Sequence, residues 1–262
     1  MRELVTVEPT TTVKGSRVRD NAPTKGLVAL DAEDTDINDD DDKPSFAQVP
    51  YSLTKYALIL DVSRDLLKDN VANLAAYIAR WFARKQTITE NKLITAKLNL
   101  LTSANITPED GVDAIRQIRS ILNKGLDPAI SARATVITNQ SGMDYLDSLV
   151  DGNGRPLLTQ DPTSGVPMLL KTRPVKIYSD ALLPNRVVTT VGATKGVYFP
   201  LYVGDGTQYA TLFEREQLEF ASTDVGGNAF DRDLTKFRGI TRLGASVFDN
   251  AAMVRREIFL AD

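Results

Sequence analysis

The sequence predicts an α+β fold, on three observations. Residues 63–98 contain no Gly or Pro and repeat apolar side chains every three or four positions, which is typical of one long amphipathic helix. Short segments rich in β-branched and aromatic residues follow the helix, as expected for strands. Before the helix, residues 13–60 contain two strand-like segments around an acidic centre, which indicates a two-stranded ribbon.

The long helix is predicted from its first turn and from one apolar face. Ser63 can accept a hydrogen bond from a free amide of the first turn, so we predict it as the N-cap. Asp65 and Asp69 lie near the positive end of the helix dipole, where negative charge is favoured. The apolar stripe consists of Leu67, Val71, Leu74, Ile78, Trp81 and Phe82. At 1.5 Å per residue, roughly 35 residues span on the order of 50 Å, so the helix should brace more than one globule.

The composition excludes several classes of function. The chain has 262 residues, 42% of them hydrophobic, and a net charge of −3, which suits one or two cores and disfavours avid nucleic-acid binding. It has no Cys and no His, which excludes disulfides and thiolate chemistry, as well as most catalytic triads and zinc sites. We find neither a signal peptide nor an apolar run of about 20 residues, so we predict a protein made in the cytoplasm without a membrane partner.

The first sixty residues are predicted to form an arm and a ribbon that need contacts with another copy of the chain. Residues 1–12 have little to bury, so we predict an extended arm that a partner surface orders. Residues 13–19 form one strand of the ribbon, residues 31–42 an acidic segment at its end, and residues 46–60 the returning strand. Because an isolated two-stranded ribbon is marginally stable in water, we expect it to lie on another subunit.

The acidic segment matches a calcium loop only in part. Asp34, Asp36 and Asn38 have the first ligand spacings of an EF-hand loop. However, Asp39 stands where that loop requires Gly, and Ser45 stands where it requires a bidentate Glu. We therefore predict a solvated loop, or one that faces basic residues of a neighbouring copy. Loose cation binding is the alternative. We predict no cofactor for this protein.

Shorter helices and strands are predicted after the long helix. Pro108 opens a second amphipathic helix that Gly125 ends, and residues 134–138 form a buried strand before a helix capped by Ser141. Residues 204–206 indicate a hairpin turn. We expect the last strands to carry four arginines on one alternation: Arg238, Arg242, Arg255 and Arg256.

Catalytic and phosphate-binding motifs are not recognisable. The glycines at 152–154 and 204–206 lack the spacing of phosphate-binding loops, so turns are the better interpretation. A hydrolase that uses Ser and Lys without His remains an alternative from another class, but the chain has no G-x-S-x-G motif. We predict that the protein is not an enzyme.

The order of the segments carries a resemblance to a known family. Residues 62–69 (VSRDLLKD), 134–139 (ATVITN) and 154–157 (GRPL) are followed by residues 165–167 (GVP), 173–175 (RPV), 202–205 (YVGD) and 213–216 (FERE). In this order they resemble the major capsid protein of tailed bacteriophages, the Hong Kong 97 type of shell fold, with residues 62–69 at the start of its spine helix.

The resemblance implies an architecture and an assembly. The parts are an N-terminal arm (1–12), an extended E-loop hairpin (13–60), the spine helix with the first part of a peripheral domain (61–108), an axial domain (109–206) and strands that return to the peripheral domain (207–262). The implied function is self-assembly as pentamers and hexamers into an icosahedral head, built in the host cytoplasm, that encloses double-stranded DNA. Portal and scaffolding proteins are implied partners, and DNA contact is weak and non-specific.

Two features of this chain differ from what is common in the family that it resembles. Some family members crosslink covalently through a Lys, an Asn and a Glu, but no Glu lies between Phe220 and Glu257 here, so we predict non-covalent stabilisation. The family often begins with a scaffolding segment, and since almost nothing precedes the arm, we expect scaffolding to be separate or already removed. An encapsulin, a compartment shell of the same fold, is the close alternative, although residues 1–12 do not resemble its N-terminal helix.

The residues predicted at contacts between copies are charged. They are Lys14, Arg17, Arg19, Lys25, Asp39, Asp40, Asp41, Asp42, Arg80, Arg84, Lys85, Arg255 and Arg256. We expect the acidic segment of one copy to meet basic residues of the next, so that salt and acid both weaken the particle.

Overall fold

The computed structural model describes residues 1–21, 45–69, 71–106, 112–150, 153–160, 167–169, 173–188, 196–227 and 229–261. The helices are α1 (Arg64–Asp69), α2 (Val71–Leu98), α3 (Val112–Ser120), α4 (Pro128–Arg133), α5 (Gln140–Asp147) and α6 (Gly206–Tyr209), with a π-helical turn at Ile121–Gly125 and 3-10 turns at Arg2–Leu4 and Asn250–Ala252. The strands are β1 (Thr6–Pro9), β2 (Lys14–Asn21), β3 (Ser45–Ser52), β4 (Thr54–Ser63), β5 (Ser103–Ile106), β6 (Thr135–Asn139), β7 (Leu158–Gln160), β8 (Pro167–Leu169), β9 (Arg173–Tyr178), β10 (Arg186–Val188), β11 (Gly196–Gly204), β12 (Ala210–Thr223), β13 (Leu234–Val247) and β14 (Met253–Ala261).

The strands belong to three sheets. A four-stranded sheet has the order β1-β12-β13-β4. An eight-stranded sheet has the order β5-β14-β11-β6-β9-β8-β7, with β10 paired to β11. Among the strands that the structure describes, β2 and β3 pair only with each other and form the ribbon. The mixture of helices with mainly antiparallel strands confirms the predicted α+β class.

Helix α2 connects two hydrophobic cores. Near its start, Ile78 and Phe82 pack with Phe237 of β13 in a small core against the four-stranded sheet. Toward its end, Ile94 and Leu98 are buried in the main core, which lies on the eight-stranded sheet. Its 28 residues span about 40 Å at 1.5 Å per residue. The helix therefore contributes side chains to both cores.

The sequence predicted one helix from Ser63, whereas the structure has two helices in this stretch. Ser63 is the last residue of β4, opposite Leu234, and helix α1 follows at once from Arg64. Helix α2 starts at Val71, and Asn70 between them lies outside the described residues.

The N-terminal segment does not form the predicted arm. Met1, Leu4 and Val5 are buried in the main core, and β1 adds a parallel edge strand to β12. The prediction that residues 1–12 have little to bury was wrong, because three apolar residues within one turn give no recognisable period. Their packing depends on β12, about two hundred residues further along the chain.

The ribbon is shorter than the predicted hairpin. Residues 14–21 pair with residues 45–52, with Lys14 opposite Ser52. The following residues, predicted as part of the same returning strand, instead form β4 and pair with β13 in the four-stranded sheet. The chain thus passes from the ribbon into the body at Leu53, which is buried.

The helix after β6 is capped by a different residue from the one predicted. Helix α5 begins at Gln140, because the buried side chain of Asn139 accepts a hydrogen bond from the Gly142 amide at 2.8 Å. Ser141, the predicted cap, donates its hydroxyl to Asp180 at 2.6 Å. That bond lowers the pKa of the Asp180 carboxyl from its ordinary value.

Two further predictions about the C-terminal half were wrong. Residues 204–206 do not form a hairpin turn, because β11 and β12 belong to different sheets and Asp205 caps the short helix α6 between them. The four arginines do not share one alternation, since Arg238 and Arg242 lie in β13 and the adjacent Arg255 and Arg256 lie in β14 of the other sheet.

Candidate inter-subunit surfaces

The base of the ribbon is fixed to the body of its own chain. Tyr51 stacks on Phe213 with ring centroids 4.3 Å apart, and Arg17 lies over the Tyr51 ring. Arg17 also pairs with Glu8. The guanidinium of Arg19 pairs with Asp249 at 2.9 Å and donates to the Phe248 carbonyl. Arg17 and Arg19, both predicted at contacts between copies, therefore have acidic partners within the chain.

Further along the ribbon, apolar side chains remain in solvent. Val18 of β2 is 62% exposed and Phe46 of β3 is 63% exposed. Lys14, at the start of β2, is also exposed. Lys25 and the predicted acidic contacts Asp39, Asp40, Asp41 and Asp42 lie outside the described residues, as does the calcium-like spacing.

A groove runs between α2 and the edge strand β4. It has a volume of about 300 Å³, with apolar walls from Tyr56, Leu58, Phe82 and Ile88 and basic groups from Lys85 and Lys92.

The predicted basic residues Arg80, Arg84 and Lys85 all lie on the exposed side of α2. Lys85 lies over the Trp81 ring, and Arg80 donates to the Ala76 carbonyl at 3.2 Å. In the described part of the chain, none of these three cations has a salt bridge to a carboxylate. Of the three, Lys85 lines the groove, where it places positive charge beside apolar surface.

Arg255 belongs to an internal cluster. Its guanidinium lies 2.8 Å from Glu257, and Arg186 binds the other oxygen of that buried carboxylate at 2.6 Å. The hydrogen bond from Arg186 to Glu257 raises the pKa of the guanidinium. Arg256 donates to the Arg255 carbonyl and is partly buried. Of the two predicted contact residues in β14, Arg255 thus already neutralises a carboxylate of its own chain.

The loop between β12 and β13 was not identified from the sequence as a contact. In this loop, residues 224–233, Phe230 is 80% exposed and Val225 is 72% exposed, the highest values for large apolar side chains among the residues described. The signal was present in the sequence, since an isolated Phe and Val among Asp and Gly have no local reason to be apolar.

Arg64 holds both ends of the β12–β13 loop. Its Nη2 lies 3.0 Å from Asp224 and its Nε lies 3.3 Å from Asp233, while its amide donates to the Asp233 carbonyl at 3.0 Å. Asp233 has a φ of 48°, in the left-handed region that few residues other than glycine adopt. Ala229 in the middle of the loop is buried. Both ends of the loop are therefore tied to Arg64, and Phe230 is directed into solvent.

A second groove, here called the sheet groove, lies beside this loop. Its volume is about 400 Å³, and its lining includes Ile59, Ala221, Ser222, Thr223, Lys236 and Arg238. Phe237 packs toward α2, so its neighbours Lys236 and Arg238 point to the opposite face of the sheet. The sheet groove is therefore on the face that α2 does not cover.

Within the ranges that the structure describes, no group of three or more carboxylates could hold a metal ion. Among these residues there is also no helix with the length and apolarity that crossing a bilayer requires.

A ribbon with exposed apolar side chains, a helix that joins two cores, and apolar grooves beside charged residues leave surface that other chains can cover. The chain belongs to the phage capsid family, whose family model matches residues 1–257. It is a major capsid protein, a component of the virion shell that associates with copies of itself.

Solved structures of low sequence identity share the fold. The capsid of a native GTA particle is 17% identical, with a TM-score of 0.70, and the match covers 100% of this chain and 89% of that one. A Microbacterium phage Oxtober96 chain is 15% identical, with a TM-score of 0.66 and coverage of 98% and 89%. The capsid of cyanophage P-SCSP1u is 12% identical, with a TM-score of 0.60 and coverage of 97% and 86%. No curated protein sequence matches the chain significantly.

These comparisons confirm the predicted family and the Hong Kong 97 type of fold. They do not favour the encapsulin or the hydrolase alternative.

Proposed function

We propose that this chain assembles as pentamers and hexamers into an icosahedral head that encloses double-stranded DNA. The observation that carries the proposal is the ribbon, whose Val18 and Phe46 lie in solvent although its base is fixed to the body. Burying one such side chain contributes about 1.5–3 kcal/mol, so many copies of a modest contact can hold a shell together.

The partner of the ribbon, in this proposal, is the α2–β4 groove of an adjacent copy. The groove has the apolar walls that Val18 and Phe46 need, and Lys85 and Lys92 can meet the acidic segment at residues 31–42. Arg80, Arg84 and Lys14 are further cations for the same contact. Arg17, Arg19 and Arg255 contribute less, because their charges already have acidic partners within the chain.

The division into domains follows the two large sheets. The four-stranded sheet with α2 corresponds to a peripheral domain, and the eight-stranded sheet corresponds to an axial domain. Strands β5 and β14 pair within the eight-stranded sheet, so the axial domain includes segments from both sides of residues 109–206. The ribbon, residues 14–21 and 45–52, corresponds to the described part of the E-loop.

Other partners follow from the same function. Packaged DNA is contacted weakly and without sequence preference, since the net charge is −3. Portal and scaffolding proteins act during assembly in the host cytoplasm. The shell is stabilised without covalent crosslinks, and the protein has no enzymatic activity.

Electron microscopy of purified particles tests the proposal. We expect the wild-type chain to form megadalton shells and Phe46→Ser to reduce their yield several-fold, because a buried ring is lost from every contact. Leu100→Ser, at an equally exposed position outside the ribbon, is the matched control and should assemble normally. A wild-type chain that stays a small oligomer, or Phe46→Ser particles in normal yield, contradicts the proposal.

Two measurements on the same particles address its finer parts. Nucleic acid recovered from particles made during infection supports a phage head, and enzyme cargo without DNA supports a compartment. A single band on a denaturing gel supports a non-covalent shell, and a ladder of linked chains contradicts it.

A further inference from the structure

We propose that a cavity on the eight-stranded sheet binds a small oxyanion of the inorganic phosphate type, held by Arg186 and Arg255. The cavity, here called the arginine cavity, has a volume of about 230 Å³. Its lining comes from strands β10, β11 and β14, from residues 183–184 and from Asn99, which directly follows helix α2. The inference concerns the single subunit and does not depend on how copies assemble.

The register of the sheet places the charged residues on one face. Arg255 and Glu257 lie two positions apart on β14, so their side chains point to the same side. Tyr202 of β11 is opposite Arg255, and Tyr198 lies four positions earlier on the same face of β11. Arg186 of β10 is opposite Tyr198. The Arg186 guanidinium passes 3.8 Å above the Tyr198 ring and reaches Glu257 on the strand beyond it.

The arginine cavity contains more positive than negative charge. Arg186 binds one oxygen of Glu257 through two nitrogens, at 3.0 and 2.6 Å, and Arg255 lies 2.8 Å from the other oxygen. Glu257 is 5% exposed, and among the described residues that line the cavity it is the one carboxylate. Two guanidinium groups thus share a single negative charge. One positive charge remains without a counterion in a partly enclosed site, where water screens it less than at an open surface.

Both arginines keep hydrogen-bond donors that Glu257 does not occupy. The Nε of Arg255 is buried and has no hydrogen-bond partner among the described residues. Arg186 uses Nε and Nη2 on Glu257, and its side chain is 52% exposed, so its remaining nitrogen is open to a ligand from solvent. Asn99 accepts from the Tyr202 hydroxyl through Oδ1 at 2.8 Å, which leaves Nδ2 as the donor of that amide.

These donors suit an oxyanion better than other small ligands. The planar fork of a guanidinium matches the spacing of two oxygens of a phosphate or carboxylate group. A cation is disfavoured, because both oxygens of Glu257 are already bound by arginine. An apolar molecule would remove water from two charged groups without replacing its hydrogen bonds.

A second cavity of the same chain shows the contrast. There, Arg133 lies 3.5 Å from Asp205, whose side chain is 6% exposed. The lining also contains Lys176 and Glu3, which pair with each other at 3.2 Å. Two cations therefore face two carboxylates, and no charge is left for a free anion. Arg133 matches Arg186 as a partly exposed guanidinium that pairs with a buried carboxylate.

Thermal melting of the purified chain in phosphate tests the inference. Inorganic phosphate is titrated in the low millimolar range at constant ionic strength, with chloride as the balancing anion, so that general salt effects stay equal. We expect phosphate at several times its dissociation constant to raise the melting temperature by roughly 2–4 °C. Isothermal titration calorimetry of the same chain should show one phosphate bound per subunit.

Three substitutions locate the bound phosphate. Arg186→Gln should abolish the rise that phosphate causes, and Arg186→Lys should weaken phosphate binding several-fold, because an ammonium keeps the charge but loses the fork. Glu257→Gln removes the competing anion, so half-maximal stabilisation should need several-fold less phosphate. Each variant is compared with itself in chloride, so a general loss of stability does not affect the result. Arg133→Gln is the matched control and should keep the wild-type response to phosphate.

The outcomes separate this inference from the proposed function. Equal melting temperatures in phosphate and chloride overturn the inference. So does a phosphate response that Arg186→Gln retains, or one that Arg133→Gln loses as fully as Arg186→Gln does. Phosphate binding that is no tighter in Glu257→Gln also overturns it. None of these results bears on particle formation, and a chain that forms no particles contradicts the proposed function while the phosphate response still decides the inference.

Discussion

The ring of Phe82 in helix α2 lies directly on the backbone of Gly239 in β13. A methyl group at position 239 would stand 2.5 Å from the Cδ1 atom of Phe82, much closer than two carbon atoms approach without strain. The ring cannot move away cheaply, because it packs edge-on against Trp81 and Phe220 at centroid distances of 5.2 and 5.4 Å. The close approach of α2 to the four-stranded sheet therefore depends on a residue without a side chain.

Gly239→Ala should destabilise the subunit by about 1–3 kcal/mol, the usual cost of overpacking a core. The measurement is urea unfolding of the unassembled protein. Gly125→Ala is the control, because its methyl group would meet Ile121 at an ordinary 3.6 Å and should change stability by less than about 0.5 kcal/mol. Equal stability of the two variants would show that α2 can shift without cost.

Arg2 connects the N-terminal segment to α2 and β12. It lies 2.7 Å from Glu90, which is 4% exposed, and 2.7 Å from Glu214. Arg2→Ala leaves the buried carboxylate of Glu90 without its cation, which should cost about 3 kcal/mol in urea unfolding. The double variant Arg2→Ala/Glu90→Gln should recover part of the loss, because the more deeply buried of the two carboxylates is no longer charged. A double variant as unstable as the single one argues against this pair.

Arg2→Lys is a sharper version of the same experiment. Arg2 reaches the two carboxylates with different nitrogens of one planar group, which a single ammonium cannot reproduce. We expect Arg2→Lys to lower the free energy of unfolding by more than half as much as Arg2→Ala does. Full stability of Arg2→Lys would mean that charge alone, without geometry, holds the segment.

The thermal stability of assembled particles should fall with salt. In the proposed contact, Lys85 and Lys92 of the α2 groove face the acidic segment of another copy, and molar salt shortens the Debye length to about 3 Å, which screens such an attraction. We expect the particle melting temperature to drop between low and molar salt. The double variant Lys85→Glu/Lys92→Glu should melt lower at low salt and show a weaker salt dependence. Melting of the wild-type particle that does not change with salt removes electrostatics from the contact.

The raised pKa values of two tyrosines predict that the protein loses stability at alkaline pH. Burial raises the pKa of Tyr178 and of Tyr209 to about 12, from an ordinary value of 10.0. A group whose pKa is raised in the folded state stabilises it fully below the unfolded pKa and loses that effect as pH rises through the folded value. The free energy of unfolding should therefore fall between pH 10 and about 12.

Phenylalanine substitutions test the origin of that pH dependence. Tyr178→Phe/Tyr209→Phe should flatten the slope of unfolding free energy against pH, whereas Tyr77→Phe at an exposed position should leave it unchanged. Tyr209→Phe also lowers stability at all pH values, because Tyr209 donates a hydrogen bond to the Lys97 carbonyl. An unaltered slope in the double variant assigns the alkaline loss to other groups.

Features with a local periodic signal were predictable from the sequence. The stripe from Leu74 to Phe82 gives a helix that buries one face, and residues 134–138 give a buried strand, because each pattern repeats within a few residues. The ribbon was also predictable, since strand-like alternation flanks a segment rich in Asp. The family was indicated separately, by the resemblance that residues 62–69, 134–139 and the later segments carry.

Contacts between distant parts of the chain were not predictable in this way. Met1 and Leu4 carry no period, and their burial depends on β12 and on the end of α2. Asn139 rather than Ser141 caps α5, because its amide also donates to the Leu183 carbonyl at 2.8 Å from a buried position.

The sequence by itself determined the α+β class, the long helix, the ribbon and the capsid family, because these depend on local periodicity and on the order of segments. The tertiary structure decided where the ribbon ends, which arginines already have acidic partners and which surfaces remain exposed. The physical reason is that burial and ion pairing depend on which residues meet across the fold. Arg17 and Lys85 illustrate it: both are basic residues in the sequence, but only Arg17 meets a carboxylate of its own described chain.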